Sequence, residues 1–216
     1  MTDLPAVVFD FGGVITASPF EAFARIEAER GLPKDLVRRI NSTDPDTNAW
    51  ARFERAEITA EEFDVEFAAE ARALGHDLPG SVVLAVLSGA VRPRMVAALD
   101  LLAERGYRLG CITNNVPAGH GAQMSRSAEH AAEIAAIMAR FACVIESSKV
   151  GLRKPDPAIY ELACATLGVR PEDCVYLDDL GINCKPAAAL GMRAIKVTGE
   201  DQALRDLGAA LGLTFP

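Results

Sequence analysis

A short apolar run near the start of the chain constrains the fold most, because it predicts a strand with no neighbouring strand close to it in the sequence. Residues 6–9 are Ala-Val-Val-Phe, and Asp10, Gly12 and Gly13 follow them closely. A run of this length is typical of a strand buried on both faces, and glycines let the backbone turn away at its carboxyl end. The next predicted strand begins only at Arg108. The first strand must therefore pair with strands from much later in the chain.

The chain from Pro93 onward alternates between helical and strand patterns. The predicted strands are residues 108–113, 142–146, 174–177 and 193–197. The predicted helices are residues 93–105, 127–140 and 157–167, a short helix that ends at Gly191, and residues 201–211. Strands that alternate with helices predict parallel βαβ units with right-handed crossovers. We therefore expect the α/β fold class, with residues 1–15 and 90–216 forming a three-layer, Rossmann-like core around a parallel sheet.

Residues 16–89 have a different character, with helical patterns, most of the aromatic residues and no segment that resembles a strand. Two capping-box patterns predict helix starts, one at Ser18 to Glu21 and one at Thr59 to Glu62. The second of these helices carries an apolar stripe that ends at Gly75 and consists of Phe63, Phe67, Ala71 and Leu74. We expect this region to be an inserted, all-helical cap domain that lies over the carboxyl ends of the strands.

The charge and the cysteine content exclude several classes of protein. The 216 residues include 22 basic and 30 acidic ones, and the formal net charge of −8 disfavours nucleic acid or an anionic membrane as a partner. The five cysteines are odd in number and lack C-x-x-C spacing, so we expect free thiols in a reducing compartment. There is no signal-peptide pattern and no apolar run of about 18 residues, so we expect a soluble, cytoplasmic protein. The sequence does not indicate the oligomeric state.

Polar residues follow the predicted strands at the points where the strands end. They are Asp10, Thr113, Asn114, Asn115, Lys154, Asp178, Asp179 and Asn183. The carboxyl ends of parallel strands share one edge of a sheet, so these side chains should lie close together. Carboxylate oxygens can hold Mg²⁺, hydroxyl and amide groups can bind phosphate oxygens, and an ammonium group can balance the charge that gathers at phosphorus. This set suits phosphoryl transfer and predicts a small phosphorylated compound as substrate.

The order of these residues resembles the four motifs of the haloacid dehalogenase superfamily. Asp10, Thr113, Lys154 and the pair Asp178-Asp179 would supply one motif each, and the helical region between the first and second motifs is similar to the cap of that superfamily's subfamily IA. Residues 145–160 and 177–187 look closer still to the phosphatase-like amino-terminal domain of soluble epoxide hydrolases. The resemblance spans nearly the whole chain, although the cap matches only loosely.

The resemblance implies specific roles for the motif residues. Asp10 would attack phosphorus and form an aspartyl-phosphate, a covalent route that divides one difficult step into two. Thr113 and Asn114 would bind the phosphate, although a Thr-Asn strand end is also ordinary turn chemistry. Lys154 precedes a proline as the family's lysine does, and it would stabilise charge. Lys149 and Arg153 are nearby rivals for that role.

The resemblance also implies a Mg²⁺ site. Asp10, Asp179 and the backbone carbonyl of Gly12 would bind the ion. Asp178 would hold a water of the metal or orient Lys154, or else cap the following helix. Asn183 would support the site from behind or merely cap its helix, and the spacing does not distinguish these roles.

Gly12 departs from the family pattern. Phosphatases of this family place a second aspartate there, which protonates the leaving oxygen and activates water. General acid–base catalysis is typically worth about 10²–10⁴ in rate, so we expect a slow phosphatase. Asp46, His76 and His120 are candidate replacements, although a surface position is the commoner explanation for each.

Three functions therefore stay open. The first is a Mg²⁺-dependent phosphatase of small phosphorylated metabolites. The second is a protein that binds a phosphate ligand or a partner without turnover, for which Gly12 is the support. The third is a haloacid dehalogenase, but that branch needs no metal and carries an aromatic residue at the position of Gly12. The sequence does not identify the substrate.

Overall fold

A parallel sheet of five strands forms the centre of the computed structural model, which describes residues 4–116 and 128–215. The strands are β1 (Ala6–Phe9), β2 (Leu109–Thr113), β3 (Cys143–Glu146), β4 (Cys174–Asp178) and β5 (Arg193–Lys196). Their order in the sheet is β3-β2-β1-β4-β5, and every pairing is parallel. The first strand therefore lies between β2 and β4, which confirms that it pairs with strands from much later in the chain.

Eleven α-helices and one short 3₁₀ helix (Pro171–Asp173) accompany these strands within the described residues. The α-helices are α1 (Pro19–Glu29), α2 (Leu36–Ser42), α3 (Ala49–Glu54), α4 (Ala60–Ala73), α5 (Gly80–Leu84), α6 (Pro93–Glu104), α7 (Ala128–Met138), α8 (Ser147–Val150), α9 (Pro157–Leu167), α10 (Gly181–Ala189) and α11 (Glu200–Leu211). The short helices α5 and α8 were not predicted. The polar loop expected after Thr113 falls largely on residues 117–127, outside the described residues.

The sheet is covered by helices on both faces. Side chains alternate along a strand, so Val7 and Phe9 of β1 face one apolar cluster while Ala6 and Val8 face another. Helices α6, α7 and α11 supply the first cluster, and α9 and α10 supply the second. Both faces of β1 are buried, which explains why its sequence is apolar throughout rather than alternating. The expected three-layer α/β fold is confirmed.

Helices α1 to α5 share a third apolar cluster of their own. Its centre is aromatic, with the Phe63 ring 4.8 Å from Phe53, 5.3 Å from Phe67 and 5.6 Å from Trp50, measured between ring centroids. The two stretches that connect this helical region to the sheet run side by side, since Ala17 N–H donates to the carbonyl of Ala90 at 2.8 Å. The helical region is therefore held at the carboxyl end of β1.

One of the two predicted capping boxes is wrong. Pro19 does begin α1, but the Ser18 side chain makes no capping hydrogen bond and instead donates to the carboxylate of Asp179 at 3.0 Å. In a capping box the hydroxyl would accept from a backbone N–H, whereas here it is turned away from its helix and donates to a carboxylate, which is a strong acceptor. The box at Thr59 and Glu62 is confirmed, with both reciprocal hydrogen bonds present.

All five cysteines are free thiols, as expected, and only Cys184 is not fully buried. Among the residues that the structure describes, no helix combines the length and the apolar character needed to cross a membrane.

Candidate active site

Asp10 directly follows β1, the central strand, and is buried at the carboxyl end of the sheet. Its backbone N–H donates to the carbonyl of Leu177 on β4 at 2.8 Å, which fixes the start of the turn. The carboxylate Oδ1 accepts from Phe11 N–H at 2.7 Å and from Lys154 Nζ at 2.8 Å. Within the described part of the chain, Oδ2 accepts no hydrogen bond. It is therefore the oxygen that remains for a substrate or a metal ion.

Lys154 is the cation beside Asp10, whereas Lys149 and Arg153, the other two candidates for this role, pair with other carboxylates. It is 1% exposed, and its ammonium also contacts Asp178 Oδ2 at 2.8 Å and the carbonyl of Ile112 at 3.0 Å. Lys149 is largely exposed and pairs with Glu146, while Arg153 pairs with Glu54. Burial opposes the charged form of Lys154, but the carboxylates of Asp10 and Asp178 outweigh it, so the pKa of the lysine lies above its usual value.

The carboxylate of Asp178 is enclosed by donors. Leu180 N–H donates to Oδ1 at 2.7 Å, the hydroxyl of Tyr176 donates to Oδ2 at 2.5 Å, and the amide of Asn183 lies 3.1 Å from both oxygens. The Lys154 ammonium completes this set. Both oxygens of Asp178 are therefore engaged, and one of them contacts the ammonium of Lys154. Asn183 lies inside α10 rather than at its first residue, and its amide supports Asp178 from behind.

Asp179 lies against the turn that follows β1. Its Oδ2 accepts from the hydroxyl of Ser18 at 3.0 Å. A Cβ atom on Gly13 would overlap this carboxylate, and Gly13 has a φ of +79°, which disfavours any side chain. Both reasons explain the glycine at this position.

Gly12, in contrast, is not required by the backbone. Its φ lies outside the left-handed region, and among the described residues a Cβ atom would meet only Pro19 Cδ, at 3.9 Å. Neither the backbone conformation nor the space for a Cβ atom therefore requires glycine at this position.

The three aspartates form a cluster that suits a hard divalent cation. Asp10, Asp178 and Asp179 each have a carboxylate oxygen within 4.8 Å of the others, and since Asp178 is already bound by donors, Asp10 and Asp179 are the two that remain for an ion. Burial raises the pKa of Asp10 to about 8, with Asp178 and Asp179 adding to the shift and Lys154 opposing it. Burial and Asp178 likewise raise the pKa of Asp179. One ammonium does not balance this negative charge, and an all-oxygen donor set is the kind that Mg²⁺ prefers.

Thr113 and Asn114 lie at the end of β2, beside these groups. Thr113 is 5% exposed and lines the same cavity as Asp10. The side-chain amide of Asn114 bonds to both backbone groups of Lys154. Asn114 Oδ1 accepts from the Lys154 N–H at 2.8 Å, and Asn114 Nδ2 donates to the Lys154 carbonyl at 2.9 Å. The neighbouring Asn115 is turned away, towards Glu146 and Ser148. Phosphate binding by Thr113 and Asn114 stays a prediction.

A cavity of about 810 Å³ opens between the helical region and the sheet edge. Asp10, Thr113, Lys154 and Asp179 line its floor, and an aromatic wall made by Phe20, Phe23 and Trp50 comes from α1 and α3. The guanidinium of Arg38 lies 4.7 Å from the centre of the Phe20 ring. The cavity can therefore hold a phosphate at its floor and a larger, partly apolar group under the helices.

The candidate replacements for the missing acid have different positions. Asp46 is exposed and lines the cavity, whereas His76 is not among the lining residues. His120 lies outside the described residues. His130 and Glu54 also line the cavity, and neither was predicted from the sequence. No motif marks a single glutamate at the end of a short helix, so only the packing could reveal Glu54.

Comparison with known proteins agrees with this geometry. A model of haloacid dehalogenase-like hydrolases matches residues 4–191. The chain is 31% identical over 216 residues to mouse acyl-CoA dehydrogenase family member 10, covering 98% of this chain and 19% of that protein. It is 30% identical over 224 residues to mouse bifunctional epoxide hydrolase 2, covering 99% of this chain and 40% of that protein. The chain thus spans less than half the length of these two relatives.

A third relative has a similar length to this chain, a phosphatase of Mycobacterium tuberculosis that is 27% identical over 221 residues, covering 95% of this chain and 94% of that protein. Among solved structures, a haloacid dehalogenase family enzyme of Bacteroides thetaiotaomicron, in complex with magnesium and inorganic phosphate, superimposes with a TM-score of 0.62. It is 18% identical, with 92% of this chain and 97% of that chain covered, so it supports the fold alone. With its parallel sheet, its strand-end aspartates and the family match over residues 4–191, the chain belongs to the haloacid dehalogenase-like hydrolases.

Proposed function

We propose that this protein is a Mg²⁺-dependent phosphatase of small phosphorylated compounds and that Asp10 is its nucleophile. One observation carries the proposal. Asp10 keeps one carboxylate oxygen bound by Lys154 and the Phe11 N–H, while the other accepts no hydrogen bond from the described residues and belongs to a residue that lines the cavity. This is the arrangement that an oriented carboxylate nucleophile needs.

In the first step, Oδ2 of Asp10 would form a bond to phosphorus while the bond from phosphorus to the leaving oxygen breaks. Lys154 and Thr113 would stabilise the charge on the phosphate oxygens, acting as preorganised donors in a buried site. Mg²⁺, held by Asp10, Asp179 and the carbonyl of Gly12, would supply further charge neutralisation there. Water would then cleave the aspartyl-phosphate, releasing inorganic phosphate and restoring Asp10.

Proton transfer is the step that this site supports least. The leaving oxygen must gain a proton in the first step, and the attacking water must lose one in the second. Gly12 has no side chain for either task. Substrates with good leaving groups, such as aryl or acyl phosphates, need less help and should be hydrolysed faster than alkyl phosphates.

The aromatic wall bears on the choice of substrate. Phe20, Phe23 and Trp50 face a cavity whose floor is charged, so a phosphate ester with an apolar or aromatic body would bury both of its ends in matching surroundings. The phosphatase among the relatives of similar length supports hydrolysis of phosphate esters in general.

A phosphate-release screen with and without Mg²⁺ tests the proposal. The panel would contain alkyl, aryl and acyl phosphates, and Asp10→Asn is the control because it keeps the shape and removes the nucleophile. We expect Mg²⁺-dependent release that Asp10→Asn abolishes. Release that survives this substitution does not come from this site and would contradict the proposal.

Gly12 also supports a second candidate, a protein that binds a phosphate ligand without turnover. In that case phosphate analogues would bind in a Mg²⁺-dependent manner while no phosphate ester released product. The third function, dehalogenation, has less support because Gly12 replaces the aromatic residue of that branch. Chloride release from 2-haloacids in metal-free buffer would favour it.

A further inference from the structure

Glu54 is a buried carboxylate of the helical region, and one of its oxygens bonds to side chains of the core. It is the last residue of α3, and its side chain is 8% exposed. Its Oε2 accepts from Arg153 Nε at 2.8 Å and from Asn114 Nδ2 at 3.2 Å. Its backbone carbonyl accepts the hydroxyl of Ser147 at 2.7 Å. This one residue therefore contacts core segments that follow β2, follow β3 and precede α9.

Two of these partners flank the lysine of the site. Arg153 is covalently joined to Lys154, and Asn114 holds the N–H and the carbonyl of Lys154 at 2.8 and 2.9 Å. The ammonium of Lys154 in turn contacts Asp10 at 2.8 Å. A continuous chain of short contacts thus runs from α3 of the helical region to the nucleophile.

The rest of the Glu54 environment holds the carboxylate in one position. Trp50 Nε1 donates to Oε1 at 2.8 Å, so both oxygens are engaged. Arg153 also donates to the carbonyl of Pro45 at 2.9 Å, which ties it to the helical region a second time. A charged pair this buried stabilises one geometry only while both partners are present.

We propose that Glu54 is a positioning residue that couples the docking of the helical region to the placement of Lys154. The proposal rests on the phosphatase function above for its kinetic effect, but its structural part does not. When the helical region is docked, Glu54 completes the hydrogen bonding of Asn114 and Arg153, and these hold Lys154 against Asp10. When that contact is lost, Asn114 and Arg153 each lose a partner, the backbone of Lys154 is held less firmly, and its ammonium shifts relative to Asp10 although Asp178 and the carbonyl of Ile112 still contact it.

Glu54→Gln tests this coupling, and Glu66→Gln is the matched control. Glu66 pairs with Arg52 at 2.6 Å inside the helical region and has no part in the site. We expect kcat of Glu54→Gln to fall about tenfold or more, because small misplacements of catalytic groups are costly. KM should change little, and the fold-loss should be equal for aryl and acyl phosphates, because Glu54 acts through Lys154 and not on the substrate. Glu66→Gln should match the wild type.

Amide hydrogen exchange gives a readout that needs no activity. The Lys154 N–H donates to Asn114, so its exchange should speed up several-fold in Glu54→Gln and stay unchanged in Glu66→Gln. If the wild type shows no phosphatase activity but the exchange changes as stated, the proposed function fails and the coupling stands. Unchanged exchange at Lys154 overturns the coupling, as does a wild-type kcat in folded Glu54→Gln.

The double variant Glu54→Gln/Arg153→Gln covers the case in which the single variant folds poorly. It removes both charges, so no unpaired guanidinium stays buried. We expect its melting temperature to recover towards the wild type while kcat stays as low as in Glu54→Gln, since the two residues act as one unit. A kcat that recovers together with stability would mean that Glu54 only supports the fold, and would overturn the proposal.

Discussion

The carboxylate of Asp179 occupies the space that a side chain on Gly13 would need. Gly13 also has a φ of +79°, so the turn after β1 is both left-handed and in contact with a proposed metal ligand. We predict that Gly13→Ala displaces Asp179 and lowers the free energy of unfolding by about 1–3 kcal/mol. Mg²⁺-dependent activity should fall with it. Gly12→Ala is the control, because Gly12 has room for a Cβ atom and should lose little stability in the same denaturant titration.

Gly12→Asp should restore proton transfer. The position accepts a side chain, because a Cβ atom there would lie 3.9 Å from Pro19 Cδ, its nearest described neighbour. We predict a rise in kcat of up to about 10²-fold for alkyl phosphates and a smaller rise for aryl and acyl phosphates, because general acid catalysis helps poor leaving groups most. Steady-state kinetics on matched esters measures both. Equal gains on all leaving groups would count against this account of Gly12.

Mg²⁺ should stabilise the folded protein through Asp179. At about 100 times its dissociation constant, a ligand that binds only the folded state adds about 2.7 kcal/mol of stability. We predict a rise in melting temperature with Mg²⁺ that Asp179→Asn largely removes. Asp173→Asn, at the opposite end of β4, should keep the full rise. A rise that is the same in all three proteins would place the ion elsewhere.

Ser18 and Thr59 have the same sequence context but different partners. The Thr59 hydroxyl caps α4, so Thr59→Ala should lower stability by about 1 kcal/mol without changing activity. The Ser18 hydroxyl contacts Asp179 instead, so Ser18→Ala should weaken Mg²⁺ binding and leave the stability of α1 nearly unchanged. Thermal melts and Mg²⁺ titrations of both variants distinguish these effects. An altered Mg²⁺ affinity in Thr59→Ala would contradict the assignment.

The parallel sheet and the convergence of Asp10, Lys154 and Asp179 could be predicted from the sequence. Short apolar runs that alternate with amphipathic segments indicate strands and helices in turn. Such strands bury both of their faces when they form a parallel sheet that is covered by helices on each side. In such a sheet the residues after the strands must share one edge, whatever the details of packing. That rule, together with the motif resemblance, was enough to place the carboxylate of Asp10, the ammonium of Lys154 and an acidic pair near one another.

Other features depended on packing that no local pattern encodes. Spacing indicated a helix cap at Ser18, but the hydroxyl lies beside Asp179, a residue far away along the chain. The two bonds from the Asn114 amide to the backbone of Lys154 likewise join residues 40 positions apart, which no spacing pattern indicates. Glu54 gave no signal, because its significance comes from three core segments that meet at the end of α3.

Hydrophobic periodicity and chain order decide where each strand stops, so the side chains at the strand ends follow directly from the residue pattern. The engaged oxygen of Asp10, the cation beside it and the route from the helical region to that cation follow instead from how the elements pack together. Hydrogen bonds are directional and short, so partners that are distant in sequence are selected by the folded geometry and not by residue type.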